Sequence, residues 1–460
     1  MHRAARWFVL SLFLGALVMA APMSVTGAPS GSTTDDPPAP APATVEPVAG
    51  VTHADAAPLS NIGSGTRNYF GIHFTLSETY DDNVRFDRQS RSGDSYTAFS
   101  PSLVFGRLGR RTRLQVSYRP RFQIYTRFSD LNTLAHDLAI DYSYRASKRW
   151  TLSFGNRATF LPGTDSVFTN SSAGRSLDPL FGVRPVAATL REDMFSTTSY
   201  FDVQYQRSLR SYFSVGGTYH RRHHSGQSFV DMEAASGRAS YNYRYKRNST
   251  LGVTYQYDRL WFGSGFGQSE GHALLVGHSF RVGKRVDLSL SVGPSYTIFD
   301  GQQNVPLSPL LAFLFGTPTL QLRTVDRRLS VGATGRFAYN FTNASVYLAY
   351  ARSVNSGGDL FGSTRSESIR AGLTRKVSRG GTFSLAADYQ TNSFGRGLNL
   401  PVTGVDRWTG EAQYSHSVSD RVAMFVRYRY IRQLIANSTL DGNRQMVTLG
   451  FTFSPVRGRP

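Results

Sequence analysis

Arginines at every second position are the residues of this sequence with the clearest chemical potential. Arg119 and Arg121 show this spacing in the segment TRLQVSYRPRFQIY. Arg427 and Arg429 repeat it near the C-terminus. A guanidinium group stays protonated at any accessible pH, so a row of such groups forms a fixed positive surface that attracts anions. The arginines that follow an alternating pattern are Arg113, Arg119, Arg121, Arg145, Arg157, Arg238, Arg244, Arg336, Arg370, Arg427 and Arg429.

Carboxylates at matching positions give that surface a second interpretation. They are Asp141, Asp202, Asp258, Asp287, Asp388 and Glu411. If the arginines outnumber the carboxylates on one face, the positive surplus favours anions. Alternatively, each arginine pairs with a carboxylate on the same face and the surface has no selectivity. The sequence leaves both interpretations open.

Metal chemistry and catalysis find little support in the residue types. The chain contains no cysteine, which excludes disulfides, thiolate nucleophiles and cysteine metal ligands. His220, His223 and His224 are close in sequence, but no acidic residue has ligand spacing to them. We therefore predict no metal site and no cofactor. The histidines are scattered and no nucleophile motif stands out, so an enzyme is the least favoured function class.

Residues 112–125 show which element positions the arginines. Successive side chains of a β-strand point to opposite faces, so this segment as a strand has one apolar and one polar face. About ten alternating residues suffice for a tilted strand to cross a bilayer. Similar segments recur along the chain. The sequence thus predicts an all-β, transmembrane, antiparallel up-and-down β-barrel, with the arginines as candidate pore-lining residues. The apolar face of this segment consists of Leu114, Val116, Tyr118, Pro120, Phe122 and Ile124.

Short basic turns set the strand count. Strand-length segments are joined at 108–111, 146–149, 209–211, 246–248, 282–285, 342–343, 378–381 and 419–421. Longer connections between the hairpins include 161–193, 299–324 and 391–407. The eight turns join sixteen strands, and the first and last segments add two. This predicts about 18 strands, with short periplasmic turns and long extracellular loops.

Two details of these segments carry further expectations. Residues 299–324 are unusually apolar for a solvent-exposed loop. We expect them to fold into the lumen as a constriction or plug, rather than against the barrel rim. Pro101, Pro120 and Pro294 fall inside predicted strands, where each removes a ladder hydrogen bond, and this predicts β-bulges.

The charge balance is strongly basic, with 51 Lys and Arg against 31 Asp and Glu and a formal net charge of +20. Basic chains often bind nucleic acid. Here the arginines are spread along strands rather than clustered, so no nucleic-acid partner is predicted.

The N-terminal part of the chain differs from the rest. Residues 1–20 combine a basic start, a short apolar core and small residues near 20, which predicts a cleaved signal peptide. Residues 21–67 are rich in Pro, Ala, Thr and Ser, which predicts a periplasmic linker. The barrel is predicted over 68–453 and a short tail over 454–460. We expect the protein in the outer membrane of a Gram-negative cell.

The octapeptide SETYDDNV, residues 77–84, follows the first amphipathic segment and resembles the opening of a family of outer-membrane barrel porins. The strand–turn–strand pattern through Phe453 is similar to that family too. Some of its members, the EpsL-like barrels, are associated with exopolysaccharide secretion. Val447, Leu449, Phe451 and Phe453 resemble the C-terminal strand signal read by the outer-membrane assembly machinery, although seven residues follow it.

We therefore expect a porin-like barrel that gives passage to polar or anionic solutes, and the resemblance implies exopolysaccharide export. The alternative is a structural or adhesive outer-membrane barrel with a closed lumen. The expected partners are outer-membrane lipid and lipopolysaccharide, the barrel assembly machinery and, through the resemblance, polysaccharide. The oligomeric state is not predicted.

Overall fold

The computed structural model describes residues 67–86, 91–162, 193–226, 231–263, 267–283, 285–306, 319–355, 364–394, 404–435 and 442–455. These residues form 18 β-strands and one short 3-10 turn at Ser129–Leu131. In these stretches, no helix is both long enough and apolar enough to cross a membrane. The expected signal peptide, and the expected linker up to residue 66, lie outside them.

The strands follow one another in chain order and alternate in direction. Their bounds are β1 Arg67–Asp81, β2 Asp94–Leu108, β3 Thr112–Tyr125, β4 Thr133–Arg145, β5 Trp150–Leu161, β6 Met194–Gln206, β7 Ser211–His224, β8 Met232–Lys246, β9 Ser249–Phe262, β10 Gly267–Val282, β11 Val286–Pro306, β12 Thr319–Asn340, β13 Ala344–Asn355, β14 Thr364–Lys376, β15 Gly381–Phe394, β16 Gly404–Ser417, β17 Val422–Ile435 and β18 Gly442–Phe453.

Strand β3 shows why these segments are strands. The side chains of Phe122 and Ile124 are 41% and 62% exposed, whereas those of the alternate residues Gln123 and Tyr125 are buried. The same period of two continues on the other strands, where large apolar side chains such as Leu290 are exposed on the outer wall. A continuous band of exposed apolar side chains needs lipid around it. The chain therefore spans a membrane with its strands.

The first and last strands close the sheet. β1 pairs with β2 along its whole length and with β18 from Phe74 opposite Phe453 to Asp81 opposite Met446. The other strands pair with their neighbours in the chain. Closure satisfies the backbone groups of strands that lie in lipid, where no water is present to do so. The structure confirms the predicted antiparallel barrel of 18 strands.

The eight predicted short turns are all found, between β2 and β3, β4 and β5, and so on to β16 and β17. They lie at one end of the barrel, which we call the short-turn end, and the opposite end is called the loop end. β1 begins and β18 ends at the short-turn end. The hairpins close tightly there, as where the Gly109 N–H donates to the Thr112 carbonyl at 2.7 Å.

The expectation of a long loop at 299–324 is wrong at both flanks. β11 continues to Pro306, β12 begins at Thr319, and the two pair over this whole extension. The expected constriction would have to be formed by residues 307–318, which lie outside the described part of the chain. The extension is a two-stranded ribbon at the loop end. At its base, Arg323 donates two hydrogen bonds to Asp300, of 2.8 and 2.6 Å, which keep the pKa of that carboxyl below its usual value.

The expectation of β-bulges at the prolines is wrong as well. Pairs between β2 and β3 are interrupted around Pro101 and Pro120, yet the register is unchanged on either side. The same holds at Pro294 between β10 and β11. The preceding Gly293 lies so close to β10 that a Cβ would come within 1.9 Å of the Leu274 carbonyl oxygen. The ladder therefore opens locally at these prolines without gaining a residue.

Candidate functional site: the inner wall

Alternation along the strands places all eleven predicted arginines on the inner wall, opposite the exposed apolar side chains. Arg119 and Arg121 are on β3, and Arg427 and Arg429 are on β17. The strands β18, β1 and β2 lie between the two pairs. Both pairs are therefore on the same side of the lumen, because closure of β1 on β18 brings the two ends of the chain together.

Several of these arginines are held by a neighbouring carboxylate. Arg238 lies 3.2 Å from Asp202, and Arg370 lies 2.7 Å from Asp388. Arg157 is 3.8 Å from Asp137, a residue that the sequence analysis had not singled out. These three arginines therefore follow the second interpretation given above, in which an arginine pairs with a carboxylate on the same face.

Glu411 of β16 is shared between two arginines of β17. Arg429 lies 2.5 Å from one of its oxygens, and Arg427 lies 3.7 Å from the other. Arg427 also donates a hydrogen bond to Gln413 at 2.9 Å. One carboxylate against two guanidinium groups leaves one positive charge in excess at this place. The side chains are largely shielded from solvent, which strengthens their field.

Other arginines of the inner wall have no carboxylate partner. Within the described stretches, Arg113, Arg119, Arg145 and Arg244 have no carboxylate oxygen within 4.0 Å. Arg119 stands opposite Asp137 in the register, but the ion pair of Asp137 is with Arg157. The inner wall thus combines paired arginines with arginines whose charge is not compensated locally. Arg121 and Arg336 lie on the same wall.

The remaining predicted carboxylates are bound by other groups. Asp141 accepts a hydrogen bond of 2.6 Å from the Tyr200 hydroxyl, and Asp287 pairs with Arg281 at 2.5 Å. Asp258 accepts from the side-chain amide of Gln256.

Sequence reasoning missed several charged residues of the inner wall. They are Arg222, Arg281, Arg328, Arg407, Arg444, Asp81, Asp137 and Asp326. Arg407 falls within the predicted connection 391–407, whereas β16 begins at Gly404 and places Arg407 opposite Gln390. The signal was available, since Arg407, Thr409 and Glu411 have the same two-residue spacing as the arginines on the other strands.

The octapeptide that carried the family resemblance closes the seam of the barrel at the loop end. Asp81, the last residue of β1, forms an ion pair with Arg444 of β18. Their side chains are 0% and 4% exposed. Removing one partner of a buried pair of this kind leaves an uncompensated charge in the wall. We call residues 81–83 and 443–445 the seam latch.

Hydrogen bonds on both sides complete the seam latch. The backbone N–H of Asn83 donates to the Asp81 carboxylate at 3.0 Å, and the Asn83 side chain donates to the Asn443 carbonyl at 2.9 Å. The backbone N–H of Gln445 donates to the Asp82 carboxylate at 2.6 Å. Asp81, Asp82 and Asn83 of the octapeptide thus bind three consecutive residues of the last strand.

The chain beyond the latch lies against the inner wall. Val84 packs with Tyr125 and Leu131, and Phe86 packs with Ile431 and Met446. Phe86 has a φ of 57°, an unfavourable value for a bulky residue, and its packing holds it there. Because Tyr125, Ile431 and Met446 are inner-wall residues, this short segment lines the lumen at the loop end.

The histidines near residue 220 do not come together as a metal site. His220 bonds to the Thr198 hydroxyl on the inner wall, while His223 points to the outer wall. Contrary to the sequence analysis, an acidic partner is present, since Asp231 lies 2.5 Å from His223 and 3.7 Å from His224. In the described stretches, no group of three or more His, Cys, Asp or Glu residues is placed to hold a metal ion.

Comparisons with known proteins give similarity to solved barrels alone. No family model and no curated protein matches the chain. OccK2 (OpdF) of Pseudomonas aeruginosa is similar with a TM-score of 0.43 and 13% identity, over 84% of this chain and 98% of that one. A BenF-like porin of Pseudomonas fluorescens Pf-5 gives 0.42 and 12%, over 84% and 98%. The ferric-catecholate import receptor Fiu of E. coli K12 gives 0.44 and 9%, over 84% and 82%. Similarity of this degree, shared by porins and an import receptor, carries no information on what this barrel does.

Proposed function

We propose that this protein is an outer-membrane barrel that gives passage to polar solutes and favours anionic ones. Closed β-barrels with short turns at one end and longer connections at the other are typical of the outer membrane, where the short turns face the periplasm. The short-turn end is therefore proposed to be periplasmic and the loop end extracellular. The outward apolar row of β18 is proposed as the signal for the assembly machinery.

The observation that carries this proposal is the positive charge on the inner wall. Arg113, Arg119, Arg145 and Arg244 stand without a carboxylate partner among the described residues, and Glu411 serves two arginines. A barrel of 18 strands is wide enough for an aqueous lumen. In such a lumen, uncompensated positive charge raises the local concentration of anions within the Debye length, about 8–10 Å at moderate salt.

Conductance in planar bilayers tests the proposal. The purified barrel is expected to form open channels whose reversal potential in a salt gradient shows anion preference. Substitution of Arg119, Arg121, Arg427 and Arg429 by Gln should reduce that preference and leave the barrel folded. Glu411→Gln is the matched opposite, because it removes a negative charge from the same wall and should increase the preference for anions.

Two results would contradict this function. A cation-selective reversal potential in the unaltered protein would show that the arginine surplus does not govern permeation. Failure to conduct, with the barrel shown to be folded by its heat-modifiable migration in gels, would favour the alternative of a structural or adhesive barrel with a closed lumen.

Export of an exopolysaccharide is a narrower proposal, and its support is the resemblance of residues 77–84 alone. The seam latch gives this octapeptide a structural task that any closed barrel shares, so the resemblance points to no particular solute. The narrower proposal requires that cells lacking the protein retain the polymer in the periplasm. Normal export from such cells would refute the narrower proposal, but it would not contradict the proposal of a general solute pore.

A further inference from the structure

The outer wall carries a repeated pair of residues near the loop end. On four strands that run towards this end, a tyrosine is followed two residues later by an arginine on the same outer face. The pairs are Tyr219 and Arg221 on β7, Tyr257 and Arg259 on β9, Tyr350 and Arg352 on β13, and Tyr430 and Arg432 on β17. We call these four positions the rim arginines.

A carboxylate of the next strand faces three of the rim arginines across the hairpin. Arg221 stands opposite Glu233. The same arrangement recurs between β9 and β10 and between β13 and β14. The ion-pair distances are 3.3 Å for Arg221 and Glu233, 3.3 Å for Arg259 and Glu270, and 3.5 Å for Arg352 and Glu367.

The geometry of these contacts leaves donors available. In all three pairs the arginine Nε is the atom nearest the carboxylate. Within the described residues, the terminal amino groups of Arg221, Arg352 and Arg432 have no hydrogen-bond acceptor. Arg259 uses one terminal nitrogen for Gln268 at 3.0 Å, and its guanidinium lies 5.2 Å from the Trp261 ring. The carboxylate thus orients each guanidinium while its outer edge stays open.

The height of the rim arginines matches the lipid headgroups. A tyrosine on the outer wall sits at the membrane interface, with its ring in lipid and its hydroxyl in water. Two residues along a strand correspond to about 6.5–7 Å, so each arginine lies just beyond the ring, at headgroup depth. A guanidinium fork in this position is suited to phosphate, which it binds through two parallel N–H groups.

We propose that the rim arginines bind the phosphate groups of a phosphorylated glycolipid in the outer leaflet of the membrane. The proposal rests on the membrane orientation given above and does not depend on whether the lumen conducts. The three carboxylates keep the arginines extended along the wall, so that less side-chain freedom is lost when phosphate binds. The net charge of each pair is near zero, and recognition comes from the free N–H groups rather than from bulk attraction.

Native mass spectrometry of the detergent-solubilised full chain tests the proposal. The probe is diphosphorylated lipid A, compared with its dephosphorylated form and with phosphatidylethanolamine. The unaltered barrel is expected to retain diphosphorylated lipid A in preference to the other two. A variant with Arg221, Arg259, Arg352 and Arg432 changed to Gln should bind it about tenfold more weakly, which is the effect of one lost charge-assisted contact per site. Folding of each variant is checked by heat-modifiable migration.

Two control variants separate binding from structure. Changing Glu233, Glu270 and Glu367 to Gln removes the same ion pairs but keeps the arginines, so lipid A binding should be retained or increased. If the ion pairs merely hold the hairpins together, both triple and quadruple variants would lose the lipid equally, and the proposal would fall. Arg107 and Arg375 are exposed on the outer wall at the other end, and their change to Gln should have no effect.

Other outcomes would also overturn the proposal. Equal retention of lipid A by the unaltered barrel and the quadruple variant would show that the rim arginines do not bind it. Equal loss in the Arg107 and Arg375 variant would show that any positive charge suffices. Displacement of lipid A by millimolar inorganic phosphate alone would assign the sites to a free anion rather than to a lipid.

Discussion

Loss of one partner of the seam latch should destabilise the barrel far more than loss of an exposed ion pair. Arg444→Gln leaves the Asp81 carboxylate with no counter-ion in a site where its side chain is 0% exposed. Breaking a buried pair in this way costs about 3–5 kcal/mol. Because about 1.4 kcal/mol is a factor of ten, the folded population relative to the unfolded one should fall roughly a hundredfold to a few thousandfold.

Arg281→Gln is the matched control for that change. Arg281 and Asp287 lie only 2.5 Å apart, but their side chains are 57% and 38% exposed. An exposed pair contributes about 1 kcal/mol at most, because water and salt screen it. The contrast between the two variants therefore isolates burial, since both remove a guanidinium from a close contact with an aspartate.

The single variants Asp81→Asn and Arg444→Gln, together with the double variant that combines them, form a double-mutant cycle. The double variant leaves no unpaired charge. Its loss of unfolding free energy should therefore be smaller than the sum of the losses of the two single variants, by about 0.5–3 kcal/mol. The measurement is the urea midpoint of the barrel folded in lipid vesicles, followed by tryptophan fluorescence, with unchanged slope. Similar small shifts for Arg444→Gln and Arg281→Gln, or strict additivity in the cycle, would refute this reasoning.

Three further changes test the wall, the linker and the ribbon. Val116→Arg places a charge on the lipid face and should cost roughly 2–4 kcal/mol in the same unfolding assay, whereas Ser117→Arg on the inner wall should be tolerated; equal costs would mean that the register of β3 is wrong. Deletion of residues 29–51 should leave insertion into the outer membrane intact, and absence of heat-modifiable barrel from that fraction would show the segment to be structural. Arg323→Gln should increase proteolysis of the ribbon between β11 and β12 while the urea midpoint of the barrel stays unchanged; a lowered midpoint would show that the ribbon supports the wall.

The wall of this barrel was predictable because its signals are local. A lipid face and an inner face alternate along every strand, so residues 112–125 alone indicate the period. Short turns with basic residues mark the ends of hairpins, and counting them gives the strand number. The orientation of each arginine then follows from its position relative to an apolar neighbour, as for Arg119 beside Tyr118.

The ion pairs of the inner wall were not predictable, because they depend on the register between strands. Glu411 reaches both Arg427 and Arg429 only through the alignment of β16 with β17. Asp81 and Arg444 are separated by 363 positions in the chain. No local pattern connects them, and the sequence of the octapeptide indicates a family resemblance rather than this contact.

The errors at residues 299–324 and at the prolines have physical causes as well. A strand that leaves the membrane no longer needs a lipid face. The ends of β11 and β12 therefore lack the alternation that marks the wall, and the sequence predicts a loop over 299–324. Pro101 and Pro120 lie opposite each other in the unchanged register of β2 and β3. Two facing residues without an N–H interrupt the ladder symmetrically, so no extra residue is needed to restore it.

The ribbon formed by β11 and β12 divides the molecule into parts that should differ in hydrogen exchange. In the described strands, residues 302–306 of β11 and 319–323 of β12 pair only with each other, because β10 pairs with β11 up to Gly301, which stands opposite Thr324 of β12. A two-stranded ribbon is marginally stable by itself, and its opening breaks no contact of the closed wall. Its amide protons should therefore exchange through local opening, many orders of magnitude faster than those of the membrane-spanning strands. The amides around Gly301 and Thr324 should mark the boundary between the two exchange rates and show where the wall ends on that side.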